Sequence, residues 1–250
     1  MTATARLELA RGALEQAHRA AGLARRPLDA PSSSGFLPLG IDALDAQLGG
    51  GFARGALYAL SGGPGSGRAS LALSWLDAAG RATREPVAFV DGADALDPDA
   101  LEPSLRRRLL WVRARSALEV LTCAEQLLDA GGFAMVCLYL VDARLENKLN
   151  DSMKAPSRAV GPGHWTRVAQ RAAASRTVAL SVLDQDDPRA PGALARASLC
   201  ARRAGSRWSR AALLDGAEVE LWITRNRRGP STGQPAVDPA ARVRVELLAP

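Results

Sequence analysis

Apolar and polar positions along this chain follow two alternating periods. Five short runs are almost unbroken in apolar residues: ALYALS (56–61), PVAFVDG (86–92), LLWVRA (109–114), FAMVCLYLVD (133–142) and TVALSVL (177–183). Short apolar runs bounded by breakers predict strands, and the near-continuous FAMVCLYLVD predicts one buried on both faces. Between them the apolar positions recur at helical spacing, in RASLALSWLDAAG (68–80), SALEVLTCAEQLLDAG (116–131) and HWTRVAQRAAAS (164–175). In the first of these Leu71, Leu73, Trp75 and Leu76 are the apolar set. Strands alternating with helices predict an α/β fold, a mostly parallel sheet flanked by helices. Three late β segments, ASLCARRA (197–204), EVELWITRNR (218–227) and ARVRVELL (241–248), predict an antiparallel extension at the C-terminal side.

The pattern divides the chain into an arm and a body. Residues 5–25 predict a helix with Leu7, Ala10, Leu14, Ala17 and Ala21 on one thin face. RRPLDAPSSSG (25–35) breaks it with two prolines and a serine run, so residues 1–34 read as an N-terminal helical arm with its linker and 35–250 as the core domain. GIDALDAQLGGGFARG (40–55) predicts a short helix closed by glycines. Two polar, breaker-rich segments, 143–163 and 184–195, fit no element, and each follows the C-terminal end of a buried strand. Binding loops of open α/β sheets gather at that edge.

Composition adds three expectations. The formal net charge of +6 favours an anionic partner, although only Lys148 and Lys154 are lysines and GC-rich codon usage accounts equally well for the arginines. Cys123, Cys137 and Cys200 lie in apolar runs without paired spacing, which predicts buried free thiols and neither a disulfide framework nor a metal site. The charged N-terminus resembles no signal peptide and no run of eighteen apolar residues occurs, so a cytoplasmic protein away from membranes is expected. His18 and His164 lack ligand spacing and read as surface residues. Trp75, Trp111 and Trp222 fall within elements and read as core, and Arg106, Arg107 and Arg108 read as a solvated helix end.

The candidate chemistry lies in SGGPGSGRAS (61–70). A glycine loop between a strand and a helix turns backbone N–H groups and the helix N-terminus toward an anion. Gly62 and Gly67 stand at the spacing of the phosphate-loop pattern G-x-x-x-x-G-K-[ST], but Arg68 replaces the lysine and Ala69 the metal-binding hydroxyl, with Ser70 one position late. Glycine at such a turn also serves geometry alone.

LGIDALDAQLGGGFARGALYALSGGPGSGRASLAL (39–73) resembles the opening of a RecA-type ATPase core, and VAFVDGADALDP (87–98) is similar to the next strand and turn of that family. Asp184-Gln185 falls where the family carries an asparagine and a phosphate-sensing glutamine, and ITRNRRGP (223–230) resembles its late strand with two basic residues, here Arg225 and Arg227. The resemblance implies a nucleotide site formed by Gly62, Gly67, Arg68, Ser70, Asp142 and Gln185. Either Asp142 or, in the other register, Leu140 takes the acidic position after the strand. It also places the water-activating glutamate at Ala93. An arginine is a poor replacement for a compact ammonium, and losses within one catalytic machine are severe. The expectation is therefore a degenerate ATP site, no catalytic residues, no bound metal and no enzyme.

Together with RLLWVRARSALEVLTCAEQLLDAG (108–131), these features resemble the ImuA-type RecA-like proteins of bacterial translesion mutagenesis cassettes, which also carry a SulA-like label. That resemblance implies an adaptor in damage-induced synthesis. Its partners would be an ImuB-type Y-family polymerase homologue and an error-prone DNA polymerase, and it would form no long self-filament. A weak DNA-stimulated ATPase and a cell-division inhibitor are the rival implications. It further implies weak, sequence-independent DNA contact through Arg144, Lys148, Lys154 and Arg158, with Arg225 and Arg227 contributing.

Overall fold

The computed structural model describes residues 35–141, 160–209, 214–227 and 242–248. The expected helix at 5–25 lies outside them. Asp45 organises the first segment: from the first turn of helix α1 (Asp42–Leu48) its carboxylate accepts hydrogen bonds from the N–H groups of Leu39 and Gly40, which precede the helix. Two short strands, β1 (Phe36–Leu37) and β2 (Phe52–Ala53), pair antiparallel around it. Gly51 makes this possible, because at φ +108 a Cβ there would sit 2.0 Å from the Leu37 carbonyl oxygen. Phe52 stacks on Tyr58 and meets Trp75 edge-on, while the Tyr58 hydroxyl accepts the Ala53 N–H at 2.8 Å.

The body alternates as the apolar pattern predicts. Strand β3 (Leu57–Gly62) leads into helix α2 (Arg68–Thr83), and β4 (Val87–Asp91) follows. A one-turn helix α3 (Pro103–Arg106), which the periodicity does not reveal, precedes β5 (Leu109–Arg113). Then come α4 (Ala117–Ala130), β6 (Met135–Tyr139), α5 (Pro162–Ser175) and β7 (Val178–Asp184). Helix α4 starts where its sequence says it should: Ser116 Oγ accepts the Glu119 N–H, and the Glu119 carboxylate accepts the Arg115 N–H.

One eight-stranded sheet runs β10–β9–β8–β3–β7–β6–β4–β5, including β8 (Ala197–Trp208), β9 (Leu214–Asn226) and β10 (Arg242–Leu248). From β8 to β5 every pair is parallel. Alternation along the strands separates two cores. Tyr58 and Leu60 pack with Leu71, Trp75 and Leu76 of α2, while Leu57 and Ala59 join the side of α4 and α5, where Val120, Leu128 and Trp165 lie.

The late strands depart from expectation in one respect. Residues 197–201 of β8 pair parallel with β3, so this strand belongs to the parallel sheet; it then continues past Gly62 as one side of an antiparallel ribbon with β9 and β10. The ribbon's inner face, with Val219, Leu221, Ile223 and Val243, packs into the α2-side core, whereas Trp208 near its tip is 62% exposed.

Trp75 is fully buried, but Trp111 and Trp222 are only half-buried and their rings carry cations, Arg113 at 4.3 Å and Arg242 at 5.2 Å. Their partly exposed positions on β5 and β9 explain why strand membership alone overstated their burial. Cys137 and Cys200 are buried and Cys123 half-buried, all free thiols. Burial raises the thiol pKa at each of the three, which keeps them protonated and unreactive. Arg106 and Arg107 are exposed, whereas Arg108 turns in to donate to the Gly80 carbonyl. His164 is half-buried against Arg167 and Glu125.

Candidate functional site: a glycine loop closed by an arginine–aspartate pair

The glycine loop stands on β3, between β7 and β8, at the C-terminal edge of the parallel strands. Close packing dictates its sequence. A Cβ at Gly62 would lie 2.5 Å from Ser66 Oγ and 2.7 Å from the Ala201 carbonyl oxygen. Gly65 and Gly67 adopt positive φ of 68 and 84, and Gly67 is the N-cap of α2. A Cβ at Gly67 would meet Val219 at 2.6 Å and Leu247 at 2.9 Å, so the ribbon's apolar face buttresses the start of the helix. Gly63 and Gly65 have open space on their Cβ side.

Arg68, the first residue of α2, is 6% exposed. Its guanidinium reaches across the sheet edge and donates to Asp184, the last residue of β7, at 2.6 Å. It also faces the Tyr139 hydroxyl at the end of β6. Burial raises the Tyr139 pKa, and the arginine's charge and hydrogen bond oppose that rise. Arg68 Nη1 and Ser66 Oγ are buried without a hydrogen-bond partner. On the neighbouring β4, Asp91 is fully buried and accepts the N–H groups of Ala93, Ala95 and Leu96 and the Trp111 indole. That set of donors commits Asp91 to shaping the turn after β4.

The other expected site residues fall as follows. Ser70 is exposed on the first turn of α2. Gln185 has an exposed side chain, and its N–H donates to the Gly62 carbonyl, tying the end of β7 to the root of the loop. Ala93 is half-buried on the turn after β4. Leu140, the alternative position after β6, is 3% exposed, and its carbonyl accepts from Arg189. Asp142, Arg144, Lys148, Lys154 and Arg158 lie outside the described residues.

Arg225 and Arg227 are placed apart from the loop. Arg225 pairs with Ser198, the Arg227 N–H donates to the Arg196 carbonyl, and this end of β8 aligns with the start of β3 at Tyr58. Both arginines therefore sit toward the edge opposite Gly62, which pairs with Ala201. Antiparallel return of β9 causes this, and no local sequence signal reports it. Residues 184–195 form a braced turn: Arg189 pairs with Asp187, and the Arg189 carbonyl accepts the Trp165 indole N–H at 2.7 Å.

Sequence reasoning missed Asp184 as the partner of Arg68 and Tyr139 as its neighbour. The available signal was the pairing of an arginine at the lysine position with an aspartate at the position the family gives to asparagine. Among the described residues no group of three or more His, Cys, Asp or Glu side chains could hold a metal ion. No described helix is long and apolar enough to cross a membrane.

No protein-family model matches this sequence, and no curated protein matches it. Among solved structures, the crystal structure of the RadB recombinase is similar, with a TM-score of 0.58 and 20% identity over 78% of this chain and 92% of that one. The likeness overturns the expectation that the chain is no enzyme: a recombinase shares the fold over nearly its whole length, so the missing lysine, hydroxyl and glutamate do not by themselves class the chain as a non-enzyme. Strand order, glycine loop and likeness agree that this chain has a RecA-like α/β fold.

Proposed function

We infer that the chain acts on DNA in repair or recombination. More narrowly, it serves damage-induced translesion synthesis beside an ImuB-type polymerase homologue and an error-prone DNA polymerase. The observation that carries the reading is the site's placement. In a RecA-like sheet the glycine loop stands at the C-terminal strand edge, and β6, which the basic stretch 143–163 follows in sequence, ends at that same edge. A formal charge of +6 supports a polyanionic partner. The translesion partners rest on the resemblance of 39–73 and 108–131 to ImuA-type proteins.

Co-expression with an ImuB-type protein, followed by size-exclusion chromatography with light scattering, tests the narrower reading; a one-to-one complex supports it and separate elution refutes it. Fluorescence anisotropy with single-stranded DNA tests the broader one, and no binding even at low salt would remove it.

A DNA-stimulated ATPase is the second reading, favoured by the glycine loop's place between β3 and α2 and its positive φ at Gly65 and Gly67. Phosphate release that DNA stimulates and Arg68→Ala abolishes would support it; none above background decides against it.

A further inference from the structure

The parallel strands begin on the edge opposite the glycine loop, and an arginine stands beside most of their starts. Arg176 lies two positions before β7, Arg84 three before β4, Arg107 two before β5 and Arg196 one before β8. Strand β9 runs the other way, so its last residues, with Arg225, and Arg227 just beyond reach the same edge. Backbone hydrogen bonds lace the edge together. The Arg227 N–H donates to the Arg196 carbonyl, Arg196 to Leu57, Ala179 to Ala56, Val178 to Ala134, Ala134 to Pro86 and Val87 to Arg108. From β9 to β5 the edge crosses six strand spacings. At about 4.8 Å each it is roughly 29 Å long.

Arg84, Arg107, Arg176, Arg225 and Arg227 are exposed, and Arg196 is half-buried. None of the six has an acidic partner among the described residues. The two carboxylates beside these starts are taken by other arginines, Glu85 by Arg54 and Asp129 by Arg171. The opposite edge differs. There Arg68, Arg113 and Arg189 are paired with Asp184, Asp94 and Asp187. Uncompensated positive charge is therefore concentrated where the strands start.

Two of the six stand where the backbone disfavours them. Arg84 and Arg176 close the C-terminal ends of α2 and α5 in left-handed backbone, with φ of 61 and 56. Glycine is the residue suited to that conformation. A cation there also answers the helix carbonyls, but they amount to roughly half a charge and a guanidinium carries a whole one. Planar guanidinium forks match phosphate oxygens. The aromatic side chain beside these starts, Phe133, is only 2% exposed, so the edge offers charge and no platform for stacking bases.

We propose that the strand-start edge is a docking surface for the phosphate backbone of DNA, across the sheet from the glycine loop. It extends the expected contact of Arg225 and Arg227 along the whole edge, through Arg196, Arg176, Arg84 and Arg107. The choice of DNA as the polyanion rests on the reading of the chain as a repair or recombination protein. At about 3.4 Å per base pair the edge covers roughly 8 base pairs of duplex. Contact through the backbone alone carries no sequence preference. The duplex has the denser charge, so it should bind at least as tightly as a single strand.

The test is fluorescence anisotropy of the full chain with a short blunt duplex and with one of its strands, at several salt concentrations. Arg84→Gly combined with Arg176→Gly removes two charges at positions that glycine favours, so its Tm should equal or exceed the parent's. Its salt slope on the duplex should be shallower by about 2. Arg107→Gln combined with Arg196→Gln should remove about as much, and it serves as the test if the glycine variant fails to fold. Unchanged slope and affinity in the folded variants overturns the proposal and leaves the DNA reading standing, with the contact elsewhere. A single strand that binds tighter than the duplex overturns contact through the backbone alone. A parent that binds neither DNA at low salt removes the DNA reading itself, and the occupant of this edge with it.

Discussion

Val219 occupies the space that any side chain at Gly67 would need, its Cγ2 lying 2.6 Å from the position of a Cβ there. The φ of +84 at Gly67 adds a backbone penalty for a non-glycine residue. Gly67→Ala should therefore destabilise by about 3 kcal/mol, combining overpacking with the left-handed conformation. In a chain of this size that is a drop of roughly 6–12 °C in Tm. Adding Val219→Ala relieves the closer clash but neither the Leu247 contact nor the backbone term, so the double variant should melt above a simple sum of the two single losses. Thermal melts of the four proteins check this, and strict additivity would show that the ribbon does not press on the loop.

The Arg68–Asp184 pair should behave as a buried one. Their side chains are 7% and 24% exposed, and removing one partner leaves a charge with little water. Asp184→Ala should cost about 3 kcal/mol. Arg68→Met combined with Asp184→Ala removes both charges and should be more stable than Asp184→Ala alone. Urea midpoints read this directly; a double variant less stable than either single one would mean the pair is held by more than its charges.

A second cluster gives a pH prediction. Glu220 accepts Arg202 at 2.7 Å and Arg242 at 3.1 Å, with Arg244 at 3.4 Å. The hydrogen bond from Arg202 foremost, then that from Arg242, holds its carboxyl below the ordinary value of 4.5 against the opposing effect of burial. The folded state thus favours the charged form. Its contribution is complete above the unfolded-chain value and disappears as pH falls through the lowered one. Glu220→Gln should lose stability at about pH 7 and progressively less as the pH falls through the lowered value, where the parent loses the same contribution. Urea melts across that window check the sign, and an equal loss at both ends would assign Glu220 a packing role.

DNA binding should divide into two independent parts. Arg225 and Arg227 sit toward the strand edge opposite the one at which β6 ends, ahead of residues 143–159 in sequence. Lys148→Ala with Lys154→Ala, and Arg225→Ala with Arg227→Ala, should each lower the salt slope by about 1–2. Combining all four should add the two losses. Anisotropy titrations at several salt concentrations measure this, and strong non-additivity would place both groups on one short stretch of DNA.

The alternation of β and α, the glycine loop and most element boundaries were legible because each rests on local periodicity or turn chemistry. Ser116 and Glu119 announce α4 within four positions. What stayed hidden depends on chain segments far apart: Arg68 and Asp184 are 116 residues apart. The double role of β8 was equally hidden, since nothing in ASLCARRA says that one strand serves a parallel core and then an antiparallel ribbon. Arg225 and Arg227 have the residue types for DNA contact, but only the return of β9 decides which edge they occupy.

The central position of β3 sets a waiting time during synthesis. Tyr58 is bridged by Ser181 across 123 residues, and Ser61 by Leu199 across 138. At about 5–20 residues per second the ribosome takes roughly 6–28 s to deliver these partners. Until then β3 has neither strand neighbour, and the unpaired N–H and C=O groups along both its edges are open to wrong pairing. Arrested nascent chains that end before β7 should be protease-sensitive around residues 57–62, and chains extended past β8 should be protected there.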